Sequence, residues 1–360
     1  MQIIKDFLQK YQIKDTDFVI GVSGGADSLA LALMFKEEFP NYNLIALTVD
    51  HMLRPTSGHE AQYVAQVMKQ HHIEHHILTW EGEKPKTGIE EKAREERYRL
   101  ICNWCSAHEI NNLVMAHHLL DQAETFFMRL QRGSGLFGLS CMEDIFYRNN
   151  IKILRPFLDI HPDDLKKYLL QRGIQWVEDE SNQCTDYLRV KVRKFLPQIT
   201  NVLGITPNKI STAIRNLQGS KRFISDYVEN IILQKVHNWE NIAFSFDVAE
   251  YNSWHPEIKF TIINRLLTRL SNSDYPLLAD SLLKLIKDMD DSHFENATLG
   301  GCHIVKSDLR FWLITEIRKK NKNISNIAWD LYLSENPQVR GLKIPVKLKI
   351  ALLNQKNHKK

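Results

Sequence analysis

Residues 23 to 28, Ser-Gly-Gly-Ala-Asp-Ser, interrupt an apolar run that starts at Phe18 and resumes at Leu29. A strand that turns sharply into a helix leaves main-chain N–H groups without acceptors, and the helix dipole favours an anion there. Gly24 and Gly25 allow the backbone close to a phosphate, Ala26 is small, and Ser23 and Ser28 add hydroxyl donors. Asp27 would repel a bare phosphate, so its carboxylate suits a Mg²⁺ that bridges the two. A capped helix after a glycine turn accounts for one acid and one hydroxyl, but not for both glycines with both serines. The 23–28 turn fits neither GxxxxGK[ST] nor GxGxxG.

More polar residues stand at the ends of later apolar segments: Asp50-His51, then His117-His118 with Asp121 and Glu124. Asp121 and Glu124 are three apart and share a helical face, as do Arg94 and Arg97. Spacing alone fits the two arginines better to an exposed ladder with Glu90, Glu91 and Glu95. Cys102 and Cys105 form a CxxC inside a helical run, where cysteine behaves as a small apolar residue.

The elements that must position these groups alternate. Strands are expected at Phe18–Val22, Leu44–Val49, Glu74–Leu78 and Leu113–Ala116, with a short fifth at Ile153-Leu154. Helices are expected at Leu29–Glu38, 57–70, Ile89–His108 and 121–130. This is the pattern of an α/β fold, a doubly wound and mostly parallel sheet, over roughly 160 residues. Ligands bind at the carboxyl ends of such strands, where the polar residues fall. Helical links over Asp163–Arg172 and Leu188–Leu196, the latter closed by Pro197, lead to a helical domain: Ile210–Leu217, Arg222–Val236, Phe260–Leu270 and Leu277–Asp288. A hairpin is expected at His303–Lys306 and Phe311–Thr315. The expected domains are 1–200, 201–318 and a short 319–360 module.

Length and composition set outer bounds. A chain of 360 residues implies two or three domains. Five scattered cysteines make no disulfide framework. No apolar run is long enough for a membrane span, and Met1–Asp6 does not open a signal peptide, so a cytoplasmic location is expected. A net charge of +4 permits a nucleic-acid partner without implying one. Residues 343–360 hold six lysines and no acid, the composition of a solvated end or of a phosphate contact.

Five stretches occur in order after the SGGADS loop: TVDHMLRPTSGHEA (48–61), EKAREERY (91–98), AHHLLDQAET (116–125), RLQRGSGLFGL (129–139) and EDESNQCTDYLRVKVRKFLP (178–197). The loop resembles that of the N-type ATP pyrophosphatases. The whole set, over residues 15 to 200, resembles the tRNA(Ile)-lysidine synthetases. The resemblance implies that ATP and Mg²⁺ activate the C2 oxygen of the wobble cytidine in a CAU anticodon of tRNA(Ile), with release of pyrophosphate. The amine of free L-lysine then displaces AMP.

On that reading Asp27 and Asp121 hold metal, and Asp27, Asp121, His117 and Arg97 are catalytic. Ser23 to Ser28 bind ATP. His51, Arg94, Arg97, Glu124, Arg132, Gly133, Arg189 and Arg193 contact substrates. Lys209, Arg215, Lys221 and Arg222 are candidate contacts to the acceptor arm, and a homodimer is allowed for. The sequence departs from the family pattern at Leu120, where an acid is usual, and at Val190, where an asparagine is. Two other readings stay open: a tRNA thiolase that uses the CxxC, and a tRNA-binding homologue without catalysis.

Overall fold

The computed structural model describes residues 2–53, 57–85, 87–178, 188–271, 277–315, 326–335, 343–346, 348–350 and 352. Outside them lie Arg54–Thr56 and residues 179–187 of two quoted motifs, the segment 319–325, and four tail lysines (Lys347, Lys356, Lys359, Lys360). The chain divides into two compact units, Met1–Lys221 and Arg222–Lys360.

The first unit opens with α1 (Ile3–Lys10), β1 (Asp17–Gly21), α2 (Ala26–Glu38), β2 (Asn43–Asp50), α3 (Ser57–Gln70) and β3 (Glu74–Thr79). It continues with α4 (Ile89–Ala107), β4 (Asn112–Val114), α5 (Leu119–Gln131), α6 (Leu136–Leu139), β5 (Ile145–Arg148), β6 (Ile151–Leu154), α7 (Pro162–Leu170) and α8 (Leu188–Leu203). The sheet order is β3-β2-β1-β4-β6-β5, parallel except for β5. Each half of the alternating strand pattern meets its own helices. Phe18, Ile20, Leu44 and Ala46 pack with α2, α3 and α7, while Val19, Ile45, Leu47 and Leu113 pack with Tyr98, Ile101, Cys102 and Cys105 of α4. Helix α2 is apolar all round because it is buried all round, as Leu29, Leu31, Leu33 and Phe35 show. Each such side chain contributes about 2 kcal/mol of transfer free energy.

α9 (Pro207–Lys235) begins in the first unit, and the division falls within it. The second unit then has β7 (His237–Trp239), β8 (Ala243–Asp247), α10 (Val248–Ser253), α11 (Pro256–Ser271), α12 (Ala279–Met289), β9 (Asn296–Leu299), β10 (Cys302–Ser307), β11 (Arg310–Thr315) and α13 (Asn326–Glu335). The expected hairpin is there as β10 and β11, within a five-stranded antiparallel sheet of order β7-β8-β11-β10-β9. Its core joins Phe246, Phe311 and Leu313 to Ile262, Leu266 and Leu282 of the helices. Ile344, Leu348 and Leu352 pack on Trp239 and Trp312.

Two helix boundaries differ from expectation. Pro197 does not close α8, which runs on to Leu203. The proline faces solvent while Leu196 and Ile199 are buried, so packing carries the helix past one missing N–H. The two helices expected around Gly219 are one, because an exposed glycine costs only about 1 kcal/mol against the burial of Ile214 and Val228.

Candidate functional site

The SGGADS turn joins β1 to α2 at the carboxyl end of the sheet. Gly24 has φ +86°, and a Cβ there would stand 3.2 Å from Val64 Cγ2, so both conformation and space call for glycine. The turn is cross-braced. Ser28 Oγ accepts from Ser23 N at 3.1 Å and donates to Gly25 O at 3.0 Å, and Val177 N donates to Gly24 O at 3.0 Å. The first bond closing α2 is Leu29 N to Gly25 O at 3.1 Å, which leaves the amides of residues 26 to 28 without helical acceptors. These features form a rigid anion cradle.

Asp27 sits one residue inside this helix. Its Oδ1 is sealed from solvent and has no hydrogen-bond partner. Burial raises its carboxyl pKa, and the charge of Asp121 adds to the rise while His118 and Lys166 oppose it. An orphaned carboxylate oxygen at an anion cradle suits a divalent cation. Magnesium commonly takes one or two carboxylates plus phosphate oxygens, so the residues present fit it. Among the described residues no group of three or more His, Cys, Asp or Glu side chains is arranged around a metal.

β4 delivers the histidine pair to the start of α5. His118 Nδ1 accepts from Asp121 N at 3.3 Å, and Asp121 Oδ2 accepts from His118 N at 3.0 Å, a reciprocal cap. Because Nδ1 is the acceptor, the neutral ring carries its proton on Nε2. That nitrogen lies 3.6 Å from Asp27 Oδ2 and 3.7 Å from Asp121 Oδ2, so His118 bridges the two carboxylates. Burial pushes the Asp121 carboxyl up, but His118, His117 and Arg189 outweigh it and hold the pKa below the usual range. His117 has a sealed, unpartnered Nδ1. Burial, with Arg155, Arg94 and Arg97 against the opposing Asp121, drives its pKa well below 6.5, so at neutral pH it is an uncharged base.

The arginines expected from the motifs arrive from two other helices. Glu124, fully buried, takes Arg193 Nε at 2.6 Å and lies 3.2 Å from Arg189 Nε, which locks α8 to α5. Burial raises the Glu124 carboxyl pKa despite the Arg193 hydrogen bond. On α4 the exposed ladder is built by other residues: Lys92 pairs with Glu95 and Glu96, and Arg99 with Glu96. Arg94 lies 5.5 Å above the Tyr98 ring. Arg97 turns inward with its Nε sealed and unpartnered, and burial lowers its pKa. His51 stands edge-on to Trp80 at 5.9 Å, and burial together with Arg97 lowers its pKa to about 4.

The structure thus gathers Ser23 to Ser28, His51, Arg94, Arg97, His117, Asp121, Glu124, Arg189 and Arg193 at one end of the sheet. Arg132 and Gly133 stand beyond the last turn of α5, about 16 Å along its axis from Asp121. Arg132 is exposed, and Gly133 has φ +67° with open space about it. Lys209 is bonded to Gly204 O, Arg215 to Asp144 and Asp159, and Lys221 to Glu143. Leu120 leaves Asp121 as the acid of that turn, and Val190 is buried. Tyr98, Arg155 and Lys166 were not singled out from the sequence. Of these, Tyr98 carried a helical-spacing signal, four residues beyond Arg94 and four before Cys102 on α4.

Residues 1–199 match the PP-loop domain family. The tRNA(Ile)-lysidine synthase of Orientia tsutsugamushi is 32% identical over 324 residues, covering 86% of this chain and 73% of its own. The chain belongs to the tRNA(Ile)-lysidine synthase family. The Wolbachia pipientis member is 31% identical over 326 residues, covering 89% of this chain and 74% of its own. The Rickettsia prowazekii member is 32% identical over 308 residues, covering 84% and 70%. A U34-tRNA thiolase from Methanococcus maripaludis superposes with TM-score 0.49 at 18% identity, over 60% of this chain and 78% of its own, too loosely to argue from. In this member of the synthase family the CxxC thiols of Cys102 and Cys105 are buried in the sheet–α4 core. Burial pushes the Cys105 pKa to about 12, so the pair is packing and not sulfur chemistry.

Proposed function

We propose that the protein adenylates the wobble cytidine of tRNA(Ile) bearing a CAU anticodon and transfers L-lysine to it. The observation that carries this reading is the junction of the SGGADS cradle with the Asp27–His118–Asp121 bridge. ATP's β- and γ-phosphates rest on the amides of α2. Asp27 and Asp121 would hold Mg²⁺, which supplies charge neutralisation at the phosphates. The C2 oxygen of cytidine attacks the α-phosphorus and pyrophosphate leaves. The ε-amine of lysine then attacks C2, and AMP departs with the original carbonyl oxygen.

This chain's residues serve both steps. Arg97, buried, and Arg189 and Arg193, part-exposed, face charge developing at the phosphate. The amine must lose a proton before it attacks. His117, held neutral by burial and by the surrounding arginines, is the acceptor. Arg94 addresses the carboxylate of the amino acid, and Glu124 holds Arg189 and Arg193 in place. The test is purified protein with ATP, Mg²⁺, labelled lysine and unmodified tRNA(Ile) with a CAU anticodon. Label entering the tRNA is expected from the wild type and lost in Asp27→Ala. Folded wild type that transfers none would refute the reading.

A further inference from the structure

The edge strand β5 carries an aromatic–arginine patch beside the site that the proposed reaction does not use. Phe146 and Arg148 alternate onto one face of β5, and Phe146 is 46% exposed. Arg155 lies 5.6 Å from the Phe146 ring centroid and is itself only 6% exposed. Arg148 lies 5.2 Å from the centroid of Tyr98, and Arg94 covers the same ring at 5.5 Å. Rings and guanidinium groups therefore alternate from the sheet edge to the neighbourhood of His117.

Charge in this patch is not balanced by protein. Among the described residues, no carboxylate forms an ion pair with Arg94, Arg97, Arg148 or Arg155, whereas Arg189, Arg193 and Arg215 all have one. Two atoms beside the patch are buried without partners: the Tyr98 hydroxyl, on a residue 4% exposed, and Arg155 Nε, although Arg155 Nη1 donates to Glu143 O at 3.0 Å. Burying positive charge unpaired is costly unless an anion completes it. Burial alone would raise the Tyr98 pKa, yet Arg94, Arg155 and Arg97 lower it.

We infer that the Phe146–Arg148 face of β5 receives one unstacked nucleotide of the RNA substrate, its base stacked on Phe146 and its phosphate accepted by Arg148. The inference rests on the functional reading above. A wobble base can reach C2 chemistry only if the loop is splayed, and splayed bases are held on aromatic and guanidinium planes. A base brings the flat apolar surface that the exposed ring lacks, and its phosphate brings the missing anion. A purely apolar partner would leave the arginines unpaired.

The test measures binding of unmodified tRNA(Ile) and of a single-stranded anticodon-loop oligonucleotide by fluorescence anisotropy, alongside the KM for ATP and for tRNA. Phe146→Ala is expected to weaken RNA binding about tenfold, with the KM for ATP unchanged. Phe146→Leu, which keeps apolar bulk, should lose as much, and Phe146→Trp should restore binding. Arg148→Gln should lower the slope of log K against log salt by about one phosphate contact. Wild-type RNA affinity and salt slope in folded Phe146→Ala and Arg148→Gln would overturn the inference and leave the reaction assignment standing. Wild type that neither binds RNA nor transfers lysine would overturn both.

Discussion

In the second unit charge is met by charge. Lys259 reaches Asp290 at 2.7 Å, and Glu229 holds Arg265 at 2.5 Å and Arg269 at 2.7 Å. Its interior is aliphatic and aromatic, with Phe246, Tyr251, Trp254 and Phe311 in one cluster. In the first unit, at the carboxyl end of the parallel sheet, burial and pairing part company. Asp27 Oδ1, His51 Nδ1, Arg97 Nε, Tyr98 OH, His117 Nδ1 and Arg155 Nε are all sealed without a hydrogen-bond partner. Native interiors rarely tolerate this, because each orphaned group forfeits about 1–3 kcal/mol. The second unit has sealed, unpartnered atoms too, on the neutral Asn264 and Trp312 and on Arg310, which is ion-paired to Asp247. The contrast is that in the first unit these atoms belong to titratable and charged side chains gathered at one end of the sheet.

The largest effect expected from breaking that contrast is on chemistry. Asp27→Asn keeps size but removes the charge beside the cradle. Lysine transfer should fall by a factor on the order of 10³, measured as label in tRNA, with the unfolding free energy from urea titration within about 1 kcal/mol of wild type. A variant as active as wild type would show that the orphaned oxygen is incidental.

Next comes the buried carboxylate that ties α8 to α5. Glu124→Ala leaves Arg189 and Arg193 facing each other without their shared partner. Both arginines are more than a third exposed, so the loss should fall below the 3–5 kcal/mol typical of a broken buried pair, at about 2 kcal/mol by urea unfolding. The matching change in the second unit, Glu229→Ala, should cost less than about 1 kcal/mol because that pair is solvated.

Acid sharpens the comparison further. His51 and His75 have folded-state pKa values of about 4, each lowered first by burial. Unfolding restores values near 6.5, so between pH 6.5 and 4 the unfolded chain binds more protons. Stability therefore rises with pH across that window and is lost as pH falls through it. His75→Gln, which can keep a hydrogen bond to Thr48 Oγ1, should flatten the slope of the urea midpoint between pH 7 and 5. An unchanged slope would remove His75 from the account.

The smallest effect belongs to the CxxC. Cys102→Ala with Cys105→Ala should leave lysine transfer intact and cost about 1 kcal/mol per site, the scale of a small core truncation. Loss of activity with the fold retained, or iron in the purified wild type, would reopen the thiolation reading.

The sequence was legible where chemistry and chain order coincide. The SGGADS turn, the His117–Glu124 run and the strand–helix alternation are local, and their periodicities and glycines read directly as a cradle and a wound sheet. The inward turn of Arg97 was not legible from spacing, because the exposed ladder on α4 satisfies the same pattern with Lys92, Glu95, Glu96 and Arg99. The short strands β5, β7, β8 and β9 escaped as well. Pieces of three to five residues carry little alternation and are fixed by their partners across a sheet.

What residues 1–221 determined alone was therefore the existence of an anion cradle and the kinds of groups beside it, since both follow from local backbone need. Tertiary structure decided which groups are paired and which are left waiting: Glu124 spends its charge on α8, while Asp27 Oδ1, Arg97 Nε and the Tyr98 hydroxyl are sealed without partners. That choice depends on burial and on distances between elements far apart in the chain, and no local pattern encodes either.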